Sequence, residues 1–184
     1  MTDAVAPEGI EFPGDTPMTA DSLTQLTRVG PGEIRLSGSS ELELEFDSKL
    51  RLRMLSGTEA SIPAAPTRWF GRARTLEVRA GEIFGATAGP LGFQLHLSTP
   101  EAEAVLSGTS FAVIRNEEAT CFCLYRGRLD ITERSTREPI DLPLEHRVLV
   151  YRDGRPARIE PITDRERMKL SMMDAARPGA APPR

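Results

Sequence analysis

Histidine occurs twice in this 184-residue chain, cysteine twice and tryptophan once, and aromatic residues make up only 5% of it. Each shortage excludes something. His96 and His146 stand far apart, so neither belongs to the i, i+4 spacing that sets two imidazoles on one helix face over a metal ion. Cys121 and Cys123 are separated by one residue. On a strand their Cα atoms would lie roughly 6.5–7 Å apart, at or beyond disulfide reach. A disulfide framework is therefore excluded. Two thiols without a second pair of ligands read as small strand residues rather than as a zinc site. No run of about 18 apolar residues exists, so no membrane-spanning helix is expected. Basic residues do not predominate: the net charge is −4 and the pI about 5.4. That argues against nucleic acid, which needs a basic stripe to neutralise phosphates. No Lys or Arg precedes Arg28, and the N-terminus has no apolar segment, so it is not a secretory signal. On that ground the chain is expected to be cytoplasmic if complete, or else a piece of a longer protein.

What is present is a hydrophobic fraction of 39%, which suits one domain with a real core. Residues 1–22 are acidic and carry Pro7, Pro13 and Pro17, so they read as a disordered lead-in. Residues 178–184 read as a disordered tail, leaving a β domain over 23–160 and a helix over 161–177.

The dominant period is two. In "ELELEFDSKLRLRML", Leu42, Leu44 and Phe46 alternate with Glu41, Glu43 and Glu45, and Leu50, Leu52 and Met54 alternate with Arg51 and Arg53. A hairpin that pairs Phe46 with Leu50 sets Glu45 opposite Arg51 and Glu43 opposite Arg53, with the apolar residues together on the other face. Further strands are expected at 75–85, 93–99, 101–108, 109–116, 120–132, 138–144 and 146–153, with Gly81, Gly92, Gly108, Gly127 and Gly154 at connections or bends. Residues 63–73 form the longest irregular insert. This spacing predicts an all-β fold, an elongated two-sheet sandwich or a short β-solenoid of many short strands. One short C-terminal helix is added by the capping box of Thr163 and Glu166, with Met168, Met172 and Ala175 on its packed face and Pro178-Gly179 as its stop.

Chemistry is harder to find. Ser110 is not in a Gly-x-Ser-x-Gly elbow, and the glycines of "AGEIFGATAGP" and "LSGTSF" lack the spacing and the Lys-Ser/Thr ending of a phosphate loop. His96 alternates with Leu95 and Leu97 and is expected on the outer face of its strand. The carboxylates are scattered along solvated faces. No catalytic, cofactor-binding or metal-ligating set is expected, and the chain is read as a non-enzyme.

The blocks from "TLEVRAGEIFG" through "FQLHLSTPEAEAVLSGTSFAVI" to "TCFCLYRGRLDI" resemble the FecR domain family. The matching positions are Gly81, Glu82 and Ile83; Phe93, Leu95 and Leu97; Gly108, Thr109, Phe111 and Val113; and Gly127, Leu129 and Ile131. "KLRLRMLSGTEASI" is similar to the family's upstream strand, and the likeness runs over about residues 24 to 155. One departure is Asp47-Ser48-Lys49, where the family commonly has Asp-Gly-Ser. The resemblance implies a periplasmic, non-enzymatic sensor module of the kind found in bacterial anti-sigma regulators, with another protein as its partner. It also implies that Gly81, Glu82, Gly108, Thr109, Phe111, Val113 and Gly127 are structural. The alternative is a self-associating envelope scaffold with no signal to pass. The partner and the oligomeric state are left open.

Overall fold

The computed structural model describes residues 10–11, 32–36, 41–46, 49–62, 74–88 and 94–178. They form twelve strands and one helix: β1 (Ile10–Glu11), β2 (Gly32–Leu36), β3 (Leu42–Phe46), β4 (Leu50–Met54), β5 (Glu59–Ile62), β6 (Arg74–Thr87), β7 (Leu95–Ser98), β8 (Ala102–Arg115), β9 (Ala119–Glu133), β10 (Pro139–Asp141), β11 (His146–Tyr151), β12 (Arg158–Pro161) and α1 (Asp164–Ala175). The fold is all-β with one C-terminal helix.

The hairpin β3–β4 adopts the register that charge and hydrophobic alternation demand, pairing Phe46 with Leu50, Glu45 with Arg51 and Glu43 with Arg53. Leu42, Leu44, Leu50, Leu52 and Met54 are buried on its inner face. A large aliphatic side chain contributes about 1.5–3 kcal/mol when buried, which outweighs the exposed charges in fixing this register.

The short strands expected at 101–108 and 109–116 are one 14-residue strand, β8. Its neighbours β6 and β9 have 14 and 15 residues. The second half of β6 pairs antiparallel with the second half of β8, Ile83 opposite Val113. The first half of β6 instead runs parallel to β7, and β7 runs antiparallel to the first half of β8. The pairings β6–β7, β7–β8 and β8–β6 thus close on themselves. Closure needs both long strands to bend, and each bends at a glycine in the left-handed region: Gly81 at φ 88° and Gly108 at φ 63°. At the second bend β8 carries an extra residue, since Ser107 pairs with Arg128 and Ser110 with Arg126.

Two cores result. Inside the closed circuit lie Leu76, Ile83, Leu97, Phe111, Val113 and Phe122. On the outer face of β6, β8 and β9 a second cluster gathers Phe84, Ala112, Cys121 and Cys123 beneath Leu170 and Met173 of α1. Successive residues of β9 therefore serve different cores, Phe122 inward and Cys121 and Cys123 outward.

Helix α1 begins at the expected capping box, with Thr163 accepting from the Glu166 amide and Glu166 accepting from the Thr163 amide. Its packed face differs from the sequence expectation. Glu166, Leu170 and Met173 are buried, whereas Met168 and Met172 are 58% and 56% exposed and Ala175 is also exposed. Leu170 and Met173 pack into the second core on this face, and the Arg147–Glu166 and Arg126–Asp174 ion pairs lie toward the sheet with them, which leaves the methionines outward.

Other differences are local. Within the lead-in, Ile10 and Glu11 pair with Leu36 and Arg35 of β2, so those two residues are not without structure. Strands β2, β5 and β12 lie outside the strand runs that period-two patterning marks. The insert at 63–73, Gly92, Phe93, the Asp47-Ser48 turn and the tail from residue 179 fall outside the described residues. Among the described residues no helix is long and apolar enough to cross a membrane.

Candidate functional site

Thr58 and Thr109 close the two bends of the sheet. The Thr58 hydroxyl accepts from the Glu82 amide at 3.1 Å and donates to the Glu82 carbonyl at 3.1 Å. A Cβ on Gly81 would overlap the Thr58 backbone. At the other bend the Thr109 amide donates to Thr87 Oγ1 at 2.7 Å, and the Thr109 hydroxyl donates to the Arg128 carbonyl at 2.9 Å. The Gly108 carbonyl fills the space that a Cβ on Gly127 would need. Gly81 and Glu82 thus sit at one bend and Gly108, Thr109 and Gly127 at the other, with Phe111 and Val113 buried between the sheet halves. The sequence holds a signal for this that period-two patterning misses: Leu-Ser-Gly-Thr occurs twice, at 55–58 and 106–109. Each copy carries one of these threonines.

Among the polar contacts that hold helix α1 to the β domain, three clusters reach the sheet's outer face, beside the Arg167–Glu145 ion pair and a hydrogen bond from Arg51 to the Ala176 carbonyl. Glu82 receives Arg165 at 2.8 Å, with Lys169 Nζ at 3.7 Å. At the other end, Asp174 accepts from the Ser110 hydroxyl at 2.5 Å and from Arg126 Nε at 2.5 Å, and Arg126 also donates to the Gly108 carbonyl. Burial raises the pKa of Asp174, but the hydrogen bonds from Arg126 and Ser110 outweigh it and hold the carboxyl below the usual range. Ser110 is fully buried on the face opposite Phe111, and its hydroxyl is committed to the helix.

The third cluster surrounds Glu166. Its Oε1 accepts from Arg147 Nη1 at 2.7 Å and its Oε2 from the Thr163 amide at 2.7 Å, while Arg147 also holds Glu160. Beside it lie Cys121 and Cys123, free and buried, with their sulfurs 3.7 Å apart. The two sulfurs and a Glu166 oxygen all lie within 4.8 Å of one another. The hydrogen bond with Cys121, together with burial, pushes the Cys123 thiol well above its ordinary pKa, so it is neutral at physiological pH. Sequence reading missed this cluster because Glu166 comes from the helix, and a lone acidic residue carries no pattern. His96 is half-buried, and its Nε2 has no hydrogen-bond partner among the described residues. His146 places Nδ1 2.9 Å from the Leu144 carbonyl.

A groove of about 520 Å³ opens where β9 lacks a neighbour. Strand β11 covers β9 as far as Leu124, and β10 covers it from Asp130. Between them the edge of β9 has no partner strand among the described residues. The groove is floored by Leu129, Ile131 and Leu142 and rimmed by Arg128 and Asp130, with the 56%-exposed Leu144 at one end. An uncovered strand edge over an apolar floor has the features that let an added strand bind through its backbone.

No protein-family profile matches the chain, and no curated protein matches it. Two crystal structures of a putative anti-sigma factor from Parabacteroides distasonis share its fold, each with a TM-score of 0.62 at 15% sequence identity. The likeness covers 74% of this chain and 62% of the Parabacteroides one, so this chain spans less than two thirds of that protein's length. At this identity the likeness concerns the fold.

Proposed function

We propose that this chain is a non-enzymatic, extracytoplasmic protein-binding module that serves sigma-factor regulation in the manner of FecR-type domains. The observation that carries the reading is the shared fold, over 74% of the chain, with a protein described as a putative anti-sigma factor. The FecR-like sequence blocks support it independently, since they fall on the strands and bends that build this fold. The partner contributes an extended segment that pairs with the uncovered edge of β9 and sets apolar side chains on Leu129 and Leu142. An apolar floor along an open strand edge suits a polypeptide better than a small charged metabolite.

The test is site-specific photo-crosslinking from position 128, with Leu144→Asp as the control. Both side chains are exposed, so neither change threatens the core. In native envelope extract, wild type is expected to capture one protein, a sigma-factor regulator or a receptor domain, and Leu144→Asp to capture several-fold less. Capture of a second copy of this chain alone would replace the proposal with the scaffold reading. Equal capture by both proteins would remove the groove from it.

A further inference from the structure

We propose that Cys121, Cys123 and Glu166 bind a thiophilic divalent cation, Zn²⁺ foremost, and that the ion ties the first turn of α1 to β9. The argument begins with a distance. Zn–S bonds are about 2.3 Å, so two sulfurs on a tetrahedral ion lie about 3.8 Å apart. Cys121 and Cys123 hold theirs at 3.7 Å. That is far beyond the roughly 2.05 Å of a disulfide, and consecutive outward positions on a strand resist closing further. The strand therefore presents the pair at the edge length of a tetrahedral site.

Two sulfurs alone would be a packing detail. The structure adds a third donor from a different element, a buried carboxylate oxygen within 4.8 Å of both. This carboxylate is oriented for the task. Arg147 and the Thr163 amide each occupy one lone pair, on different oxygens, and leave the others free. Carboxylates that ligate metals are commonly held by such outer hydrogen bonds. The charges also close. Both thiol protons leave to solvent on binding, and the three negative charges of two thiolates and Glu166 are balanced by the cation and Arg147. Thiolate donors select a soft ion over Mg²⁺ or Ca²⁺. Three protein ligands leave a fourth position for water or another donor. Glu166 is the hinge between metal and helix, because it also caps α1.

The probe is Co²⁺, added to the reduced full chain. A one-to-one complex with a thiolate-to-cobalt charge-transfer band and the intense visible bands of tetrahedral cobalt is expected, displaced by Zn²⁺. Cys121→Ala and Cys123→Ala should each abolish the charge-transfer band of the pair, and Glu166→Gln should weaken binding at least tenfold. Glu166→Gln keeps one side-chain acceptor and turns an N–H toward either Arg147 or the Thr163 amide, so helix content by circular dichroism is read beside the cobalt titration to separate ligation from capping. X-ray absorption on the zinc-loaded wild type needs no variant and should show two sulfur neighbours at about 2.3 Å with oxygen filling the remainder. Absence of the charge-transfer band, a band unchanged in Cys123→Ala, or a zinc shell without sulfur would each overturn the proposal and leave two thiols that only hydrogen-bond each other.

Discussion

Arg51 meets Glu43, although Glu45 is its partner across the hairpin. Arg53 repeats the offset, reaching Glu41 at 2.5 Å while standing opposite Glu43. The right-handed twist of an antiparallel pair and the length of the arginine side chain bring the diagonal neighbour within reach. The register read from the sequence is correct, and the ion pairs run two residues off it.

Coupling in this hairpin should follow the diagonal. The double variant Glu43→Arg, Arg51→Glu is expected to be closer to wild type than the sum of its single variants, by about 0.2–1 kcal/mol. Glu45 with Arg51 should show additive losses. Urea unfolding at low salt measures both cycles, and added salt should shrink the first. Coupling confined to Glu45 and Arg51 would show that the direct pair, not the diagonal, forms in solution.

A second expectation concerns Phe111, whose ring occupies the space beside Gly85 on the facing strand. Phe111→Ala should cost about 3–5 kcal/mol, a large share of the roughly 5–15 kcal/mol that holds a domain together. Gly85→Ala should also destabilise, since its Cβ would overlap the ring. The loss should be smaller in a Phe111→Leu background, which relieves the overlap. Thermal melts of Phe111→Ala, Gly85→Ala, Phe111→Leu and the Gly85→Ala, Phe111→Leu double variant suffice, and equal losses from Gly85→Ala in both backgrounds would refute the contact.

Glycine substitutions separate strain from packing. Gly81 and Gly154 have φ of 88° and 79°, but only Gly81 has a neighbour where a Cβ would go. Gly154→Ala should cost about 1–2 kcal/mol, the left-handed penalty alone. Gly81→Ala must also displace the Thr58 backbone and should lose distinctly more. Similar losses would mean that the bend at Gly81 adapts freely.

These contrasts show which features could be read in advance. The β3–β4 hairpin was legible because alternation, turn and charge all act within fifteen residues, 41–55. The bend in β8 was not, since Ser107-Gly108-Thr109 has the composition of a turn, and only pairing with β9 shows that the strand continues through it. The packed face of α1 was misread for a similar reason. Two methionines outrank a glutamate as core candidates until Arg147, 19 positions away, is seen to neutralise Glu166. The Cys121–Cys123 pair was correctly placed on one strand face, but its third neighbour arrives from the helix.

The Ser110–Asp174 contact, spanning 64 positions, supplies the last prediction. A serine on an open face could be replaced without effect. This one is buried and donates to a half-buried carboxylate, so Ser110→Ala should cost about 1–2 kcal/mol. The pH dependence follows from Asp174, whose pKa is lowered in the fold because the hydrogen bonds from Arg126 and Ser110 outweigh burial. The unfolded chain takes up the proton at the ordinary aspartate value, and the folded chain only below it. The stabilisation is therefore complete above the ordinary value and is lost as pH falls through it toward the lowered one. Asp174→Asn should be less stable than wild type at neutral pH, with the difference narrowing as the solution is acidified. Melting curves across that range give the test, and a gap between the two proteins that stays constant with pH would show that Asp174 contributes no charge-dependent stability. A serine-reactive phosphonate should leave Ser110 unlabelled, because its hydroxyl is buried and already donated to Asp174; covalent labelling there would reopen an enzymatic reading.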